Sequence, residues 1–207
     1  MISKGSRVDI FCGRKKYTAD KIIVTSPSAI FAKIAPQLIK TYKEKLLKVK
    51  HLQAQTLVLV FKKRFLKNTY WLNVNDKDIP FLVLVEHTNF VKSSLYNNEH
   101  IVYVGNYLPS DSALLSYTKE RLIKEFTPFL SKINKNFEKN LTDSYLFNIP
   151  FAQPIVDTDY HKHIPQIKTP IKNVYLANMD MIYPWDRGTN YSVEIGKRVA
   201  DLINNER

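Results

Sequence analysis

Residues 173–205, NVYLANMDMIYPWDRGTNYSVEIGKRVADLINN, limit what this chain can fold into more than any other stretch. An apolar run, Val174-Tyr175-Leu176-Ala177, follows the turn formers Pro170 and Asn173 and reads as a short buried strand. After a polar loop, Ile195, Val199, Leu202 and Ile203 recur at i, i+4, i+7 and i+8, the stripe of an amphipathic helix. Thr189 and Asn190 are both competent to cap its start. Ser192, Gly196 and Ala200 lie four apart on a second face, where small side chains let the helix approach whatever it covers. A helix opening from a loop that contains Gly188 presents unpaired backbone N–H groups and a positive dipole end. That setting suits an anionic or electron-rich ligand.

Upstream, residues 7–12 and 22–25 read as strands joined by a polar turn at Gly13. Residues 28–35 and 37–48 read as helices broken at Pro36. Residues 57–61, 70–74, 81–86 and 101–107 are rich in Val, Leu and aromatics and are separated by polar turns, the pattern of an antiparallel sheet. Thr118 caps a helix that begins at Lys119 and carries Leu122, Ile123, Phe126, Leu130 and Ile133, and Pro128 is expected to kink or break it. Residues 144–149 form another strand. The four prolines of 150–172 predict an extended crossover with no regular element.

The 207 residues suffice for one good core, or for one and a half domains. A formal net charge of +12 attracts polyanions, but no basic block exceeds three residues and no zinc-finger or RNP-like pattern appears, so nucleic acid is not the expected partner. Contact with an anionic membrane surface is compatible with that charge. Cys12 is the only cysteine, which excludes an internal disulfide and a cysteine-rich metal site. The pair His161 and His163 lacks a third partner at a recognisable spacing, so no metal is expected. The longest apolar runs are five residues and the first residues carry no signal-peptide pattern, which predicts a cytoplasmic protein.

The order Tyr175-Leu176-Ala177, Asp180, and Gly188 through Gly196 with Val193-Glu194 between them resembles the C-terminal signature of the FAD-dependent amine-oxidase-like flavoproteins. That superfamily includes amine oxidases, protoporphyrinogen oxidase and the carotenoid desaturases. The segment from Tyr17 to Pro27, with Asp20 and Ile22-Ile23-Val24, is similar to the family strand that leads into its substrate domain. The resemblance implies an α/β (mixed α+β) fold. An antiparallel-sheet substrate domain with helices, residues 28–169, would be flanked by two pieces of an FAD-binding Rossmann-like domain, residues 1–27 and 170–207. It implies FAD as cofactor, held by Asp180, Gly188, Thr189, Asn190, Tyr191 and Ser192. Trp71, Tyr103, Tyr183 and Trp185 are the expected substrate-lining residues.

The five glycines form no G-x-G-x-x-G, the pattern by which a Rossmann-type site brings pyrophosphate onto bare backbone. The nucleotide-binding half is therefore expected from another segment, in the same gene or as a separate subunit. The resemblance implies hydride removal from an apolar or amine-like substrate to flavin. Two departures weigh against a simple amine oxidase. Thr56 stands where the family's amine oxidases carry a Lys near the flavin, and Gly188 stands where they carry an aromatic-sandwich Tyr. Two alternatives remain: a flavin-dependent sugar-nucleotide mutase-like protein, and a non-catalytic basic binding module on the same scaffold.

Overall fold

A computed structural model describes residues 2–4 and 7–206. Met1, Gly5 and Ser6 of the expected 1–27 segment, and Arg207 of 170–207, lie outside the described residues. Two compact units form, Met1–Lys50 with Pro154–Arg207, and His51–Gln153.

In the first unit β1 (Ile2–Lys4), β2 (Arg7–Cys12) and β3 (Lys15–Ala19) make an antiparallel meander. Strand β3 carries no buried alternation and is not legible in the sequence; it exists because it pairs with β2, Cys12 opposite Lys15. Gly13 takes φ 59 in the two-residue turn between them, the positive φ that such a hairpin demands. Strand β4 (Ile22–Val24) runs parallel to a later strand, Val174–Leu176, with Ile22 opposite Val174 and Val24 opposite Leu176. The N–H of Ala177 extends the pairing to the Val24 carbonyl.

Helices α1 (Ser28–Ile34) and α2 (Lys40–Leu47) follow β4. Their Phe31, Ala32 and Leu46 join Val8, Ile22, Val24, Leu176, Ile195 and Val199 in one core. Complete burial of side chains such as Phe31 and Leu46 contributes roughly 1.5–3 kcal/mol each. These helices thus pack in the first unit, so the compact division falls after Lys50 and Gln153, whereas the sequence reading drew its boundaries at 27 and 169. Tyr160, buried with its hydroxyl donating to the Asp180 carbonyl at 2.8 Å, anchors part of the returning segment.

Glu206, just past the final helix, gathers three partners. Lys168 Nζ lies 2.6 Å from one carboxylate oxygen, Lys21 Nζ lies 3.5 Å from the other, and the Tyr175 hydroxyl donates to that second oxygen. Hydrogen bonds from Lys168 and then Tyr175 hold the Glu206 carboxyl down at about 2. Burial, then the Glu206 contact, pushes the Tyr175 phenol up to about 12. A depressed carboxyl stabilises the fold above its unfolded-state value, and that contribution is lost as pH falls towards 2. The urea midpoint of Glu206→Gln should therefore drop less than wild type between about pH 5 and about pH 2.5. Equal acid sensitivity in the two proteins would refute this.

The second unit is a five-stranded sheet. Its strands are β5 (His51–Phe61), β6 (Trp71–Asn73), β7 (Val83–Glu86), β8 (His100–Leu108) and β9 (Leu141–Pro154), in the order β6-β7-β8-β5-β9. Helix α3 (Lys119–Ile133) and the short α4 (Phe137–Asn140) cover one face. There Leu122, Phe126, Leu130 and Phe137 meet Leu57, Leu59, Phe61, Leu84, Val102 and Val104. Thr118 caps α3, accepting from the Arg121 N–H at 3.3 Å.

Pro128 does not end α3, so of the kink or break expected from the sequence the break does not occur. Thr127 Oγ1 donates back to the Ile123 carbonyl at 2.7 Å, and the buried stripe on either side outweighs the one backbone bond that proline removes. Strand β9 likewise runs past Pro150, which the sequence reading placed in an irregular crossover. An edge strand tolerates proline because it has one unpaired side.

Candidate functional site

Strand β10 (Val174–Leu176) and helix α5 (Thr189–Asn204) build the candidate site in the first unit. The chain leaves β10 through Ala177 and Asn178 into a tight turn at Met179–Met181. Asn178 fixes this turn twice. Its Oδ1 accepts the Asp180 N–H at 3.0 Å, and its Nδ2 donates to the Ser26 carbonyl at 2.8 Å.

Asp180 is 2% exposed. Its Oδ2 accepts the Ser28 N–H at 3.0 Å, at the start of α1. Its carboxylate thus serves a helix end that no residue of α1 itself caps. Burial first, then the Asp180 charge, raises the Tyr160 phenol well above its ordinary value.

Gly188 is the residue before the first turn of α5, in extended backbone, and has no side chain with which to cap that turn. The cap is therefore one residue before Thr189 and two before Asn190, the two expected from sequence. Asn190 folds back so that a Cβ on Gly188 would meet its Oδ1 at 2.6 Å. Thr189 and Asn190 are exposed and Tyr191 is half-buried. The Ser192 hydroxyl lies 3.0 Å from Met179 Sδ and 3.2 Å from the Gly188 carbonyl. The sixteen-residue helix therefore begins with N–H groups that the turn itself leaves for an outside acceptor.

Two recesses flank this start. A small one of about 60 Å³ gathers Tyr183, Trp185 and Tyr191 with Glu194 and Arg198. Trp185 and Tyr191 stack there, centroids 5.8 Å apart and planes within 7°. The larger groove, about 320 Å³, is apolar. Ile23 and Thr25 line it from the β4 end, Ala177, Asn178 and Met179 from beyond β10, and Ser192, Ile195, Gly196 and Val199 from α5. A Cβ placed on Gly196 would meet nothing within 4 Å. The small-residue face of the helix is thus not consumed by packing within the chain.

The structure brings together Tyr183, Trp185, Tyr191 and Ser192 around the α5 start, and sets Asp180 beneath the turn, outside the groove lining. Sequence reasoning missed Ile23, Asn178 and Met179. Ile23 was findable, since it is the one outward residue between the buried Ile22 and Val24. Asn178 and Met179 have no periodicity to reveal them.

In the second unit Trp71 and Tyr103 share the sheet face opposite α3. Trp71 pairs with Val85, Val85 with Tyr103, and Tyr103 with Val58 in one cross-strand row. Trp71 is 55% exposed, its Nε1 donating to Asn73 Oδ1 at 2.8 Å. Tyr103 is half-buried against the His87 ring, 5.5 Å away, and burial raises its phenol. Gly105, next along this face, lies so near Val83 that a Cβ would approach its Cγ1 to 2.7 Å. Thr56 pairs with Gly105.

Among the described residues no group of three or more His, Cys, Asp or Glu is placed to hold a metal ion. No described helix is long and apolar enough to cross a membrane.

No curated protein matches the chain in sequence. Several solved structures share its fold. A provisionally assigned protoporphyrinogen oxidase from Exiguobacterium sp. 255-15 matches with TM-score 0.77 at 13% identity, over 100% of this chain and 46% of that one. A reduced UDP-galactopyranose mutase matches with TM-score 0.75 at 11% identity, over 96% of this chain and 44% of that one. Cyclohexylamine oxidase from Brevibacterium oxydans IH-35A matches with TM-score 0.71 at 14% identity, over 97% and 46%. The chain spans less than half the length of each of these structures. The family model for flavin containing amine oxidoreductase matches residues 2–204, and the chain belongs to that family, whose cofactor is FAD.

Proposed function

We propose that this chain supplies the flavin-facing C-terminal portion of an FAD-dependent oxidoreductase that removes hydride from an apolar or amine-like substrate. The adenine and pyrophosphate would be held by a G-x-G-x-x-G half, either in the same polypeptide or in a separate subunit. The unit Met1–Lys50 with Pro154–Arg207 takes the cofactor role, and His51–Gln153 the substrate role.

The observation that carries this reading is the apolar groove along α5, in which the bare Gly196 faces open space beside a helix start whose N-cap, Gly188, brings no capping side chain. Both features fit a flat, electron-rich ring system: small residues admit its bulk, and the helix start offers donors to its oxygens. FAD supplies the hydride acceptor when bound. The chain's own residues hold it and keep water away. The backbone N–H groups of Thr189, Asn190 and Tyr191 donate, and Gly188 and Ser192 shape the mouth. Trp185 stacked on Tyr191, with Tyr183, shields one flank. Asp180 is a positioning residue in this reading, acting through Ser28 and the 178–181 turn. The cross-strand row of Trp71 and Tyr103 gives an apolar wall to the substrate unit. The mutase reading is disfavoured because Arg64 and Arg121 are the only arginines of that unit, and Arg121 lies 3.6 Å over the Tyr117 ring.

The test combines the chain with a nucleotide-binding half and records visible absorption, where bound flavin gives a band near about 450 nm. Gly196→Leu should abolish that band. It should not unfold the chain, because its Cβ meets no neighbour and leucine is the better helix former by up to about 1 kcal/mol. Flavin retained by Gly196→Leu at wild-type affinity would sink the proposal. So would polyanion binding with no flavin band, the outcome expected of a plain basic module.

A further inference from the structure

A second recess, of about 300 Å³, lies in the His51–Gln153 unit, lined by Arg64 and by residues of the 88–98 segment. Its floor is fixed from below. Glu86 is fully buried, and its carboxylate accepts the N–H groups of Phe65 and Leu66 at 3.1 and 2.9 Å and the Thr88 hydroxyl at 2.9 Å. Asn89 Nδ2 donates to the carbonyls of Leu66 and Thr69, at 2.9 and 3.0 Å. Asn97 and Asn98 take left-handed backbone, φ 52 and 64, and the Asn98 N–H closes onto the Ser93 carbonyl at 3.0 Å. Two successive left-handed non-glycine residues cost conformational energy, so the loop is shaped rather than slack.

The lining is donor-rich, and beyond Thr88 and Asn89 its side-chain donors are idle. Among the described residues, the side chains of Arg64, Lys92, Ser93, Ser94 and Asn98 make no hydrogen bond or ion pair within the protein. The two carboxylates nearest in sequence are already engaged: Glu86 by its three donors, and Glu99 by the Thr142 hydroxyl at 3.1 Å. Two cations, two hydroxyls and an amide around one recess form an oxyanion receptor, and no described carboxylate is among its lining residues. At the rim Phe90 is 77% exposed, its ring 5.2 Å from that of Tyr70. An exposed ring next to a cationic recess suits a ligand with an apolar or aromatic part attached to its charge.

We propose that this recess binds an oxyanion of the phosphate class, carried on an apolar or aromatic group that packs on Phe90. The site is independent of the flavin reading, and its test does not use flavin colour.

The full chain is titrated calorimetrically with inorganic phosphate and with phenyl phosphate. It is also sedimented with phosphatidylcholine vesicles with and without phosphatidylglycerol. Phenyl phosphate should bind about fivefold more tightly than inorganic phosphate, and Phe90→Ser should erase that preference. Arg64→Gln and Lys92→Gln should each weaken phenyl phosphate about tenfold. Both residues are exposed, so neither change threatens the fold. Binding only to phosphatidylglycerol vesicles, lost in the same two variants, would identify a lipid headgroup as the source of the phosphate. Binding of any probe that survives both substitutions, or binding of none, would overturn the proposal.

Discussion

Replacing Glu86 with alanine should lower the stability of the chain by about 3–5 kcal/mol, the range for removing one partner from a buried charged network. The carboxylate is fully buried in the His51–Gln153 unit and takes three donors, the N–H groups of Phe65 and Leu66 and the Thr88 hydroxyl. Phe65 and Leu66 are themselves buried, so no solvent replaces the lost acceptor. His100 Nδ1 lies 3.1 Å from Thr88 Oγ1, and burial first, then Arg64, lowers its ordinary basicity against the opposing pull of Glu86. Glu86→Gln keeps an acceptor for the backbone and should cost only about 1–2 kcal/mol. Urea midpoints with unchanged m-values check both. An alanine variant within about 1 kcal/mol of wild type would show that the network is not what holds the 65–66 turn.

Asp180→Ala is expected to cost about 2–4 kcal/mol, since it strips the charged acceptor from the N–H of the fully buried Ser28. A short helix cannot compensate. Helix α1 has seven residues, and neither Pro27 nor any other side chain of its own caps its start. Asp180→Asn retains an oxygen for the Ser28 N–H and should recover at least half of the loss. The pair separates two roles. If Asp180 acts through position, flavin affinity in the reconstituted protein follows stability across wild type, Asn and Ala. If the charge itself met the cofactor, Asn would lose flavin as fully as Ala while keeping its fold. Flavin binding and urea midpoint measured on the same samples decide the matter.

Much of the fold was readable wherever a single periodicity decided it. Ile195, Val199, Leu202 and Ile203 placed α5, and Leu122, Phe126 and Leu130 placed α3 through a proline that burial overrides. Strand β3 was unreadable, because Lys15–Ala19 faces solvent almost throughout and owes its conformation to β2. Helices α1 and α2 could be located along the chain but not assigned to a core, since an apolar stripe does not say which partner buries it. The candidate site divides in the same way. Tyr183, Trp185 and Ser192 were picked out by their place before and within the helix. Asp180 was picked out too, yet its carboxylate turns to Ser28, a residue 152 positions away.

By itself, then, the sequence determined the local elements and the family signature at the chain's end, because hydrophobic period, capping chemistry and glycine placement act over a few residues. Only the tertiary structure decided which donors are spent and which are idle. It set Glu86 and Asp180 to holding backbone together, and left Gly196 bare beside a groove and the Arg64 and Lys92 side chains without hydrogen-bond or ion-pair partners among the described residues. Saturation of a polar group depends on neighbours brought from far along the chain, and no local pattern of residues encodes it.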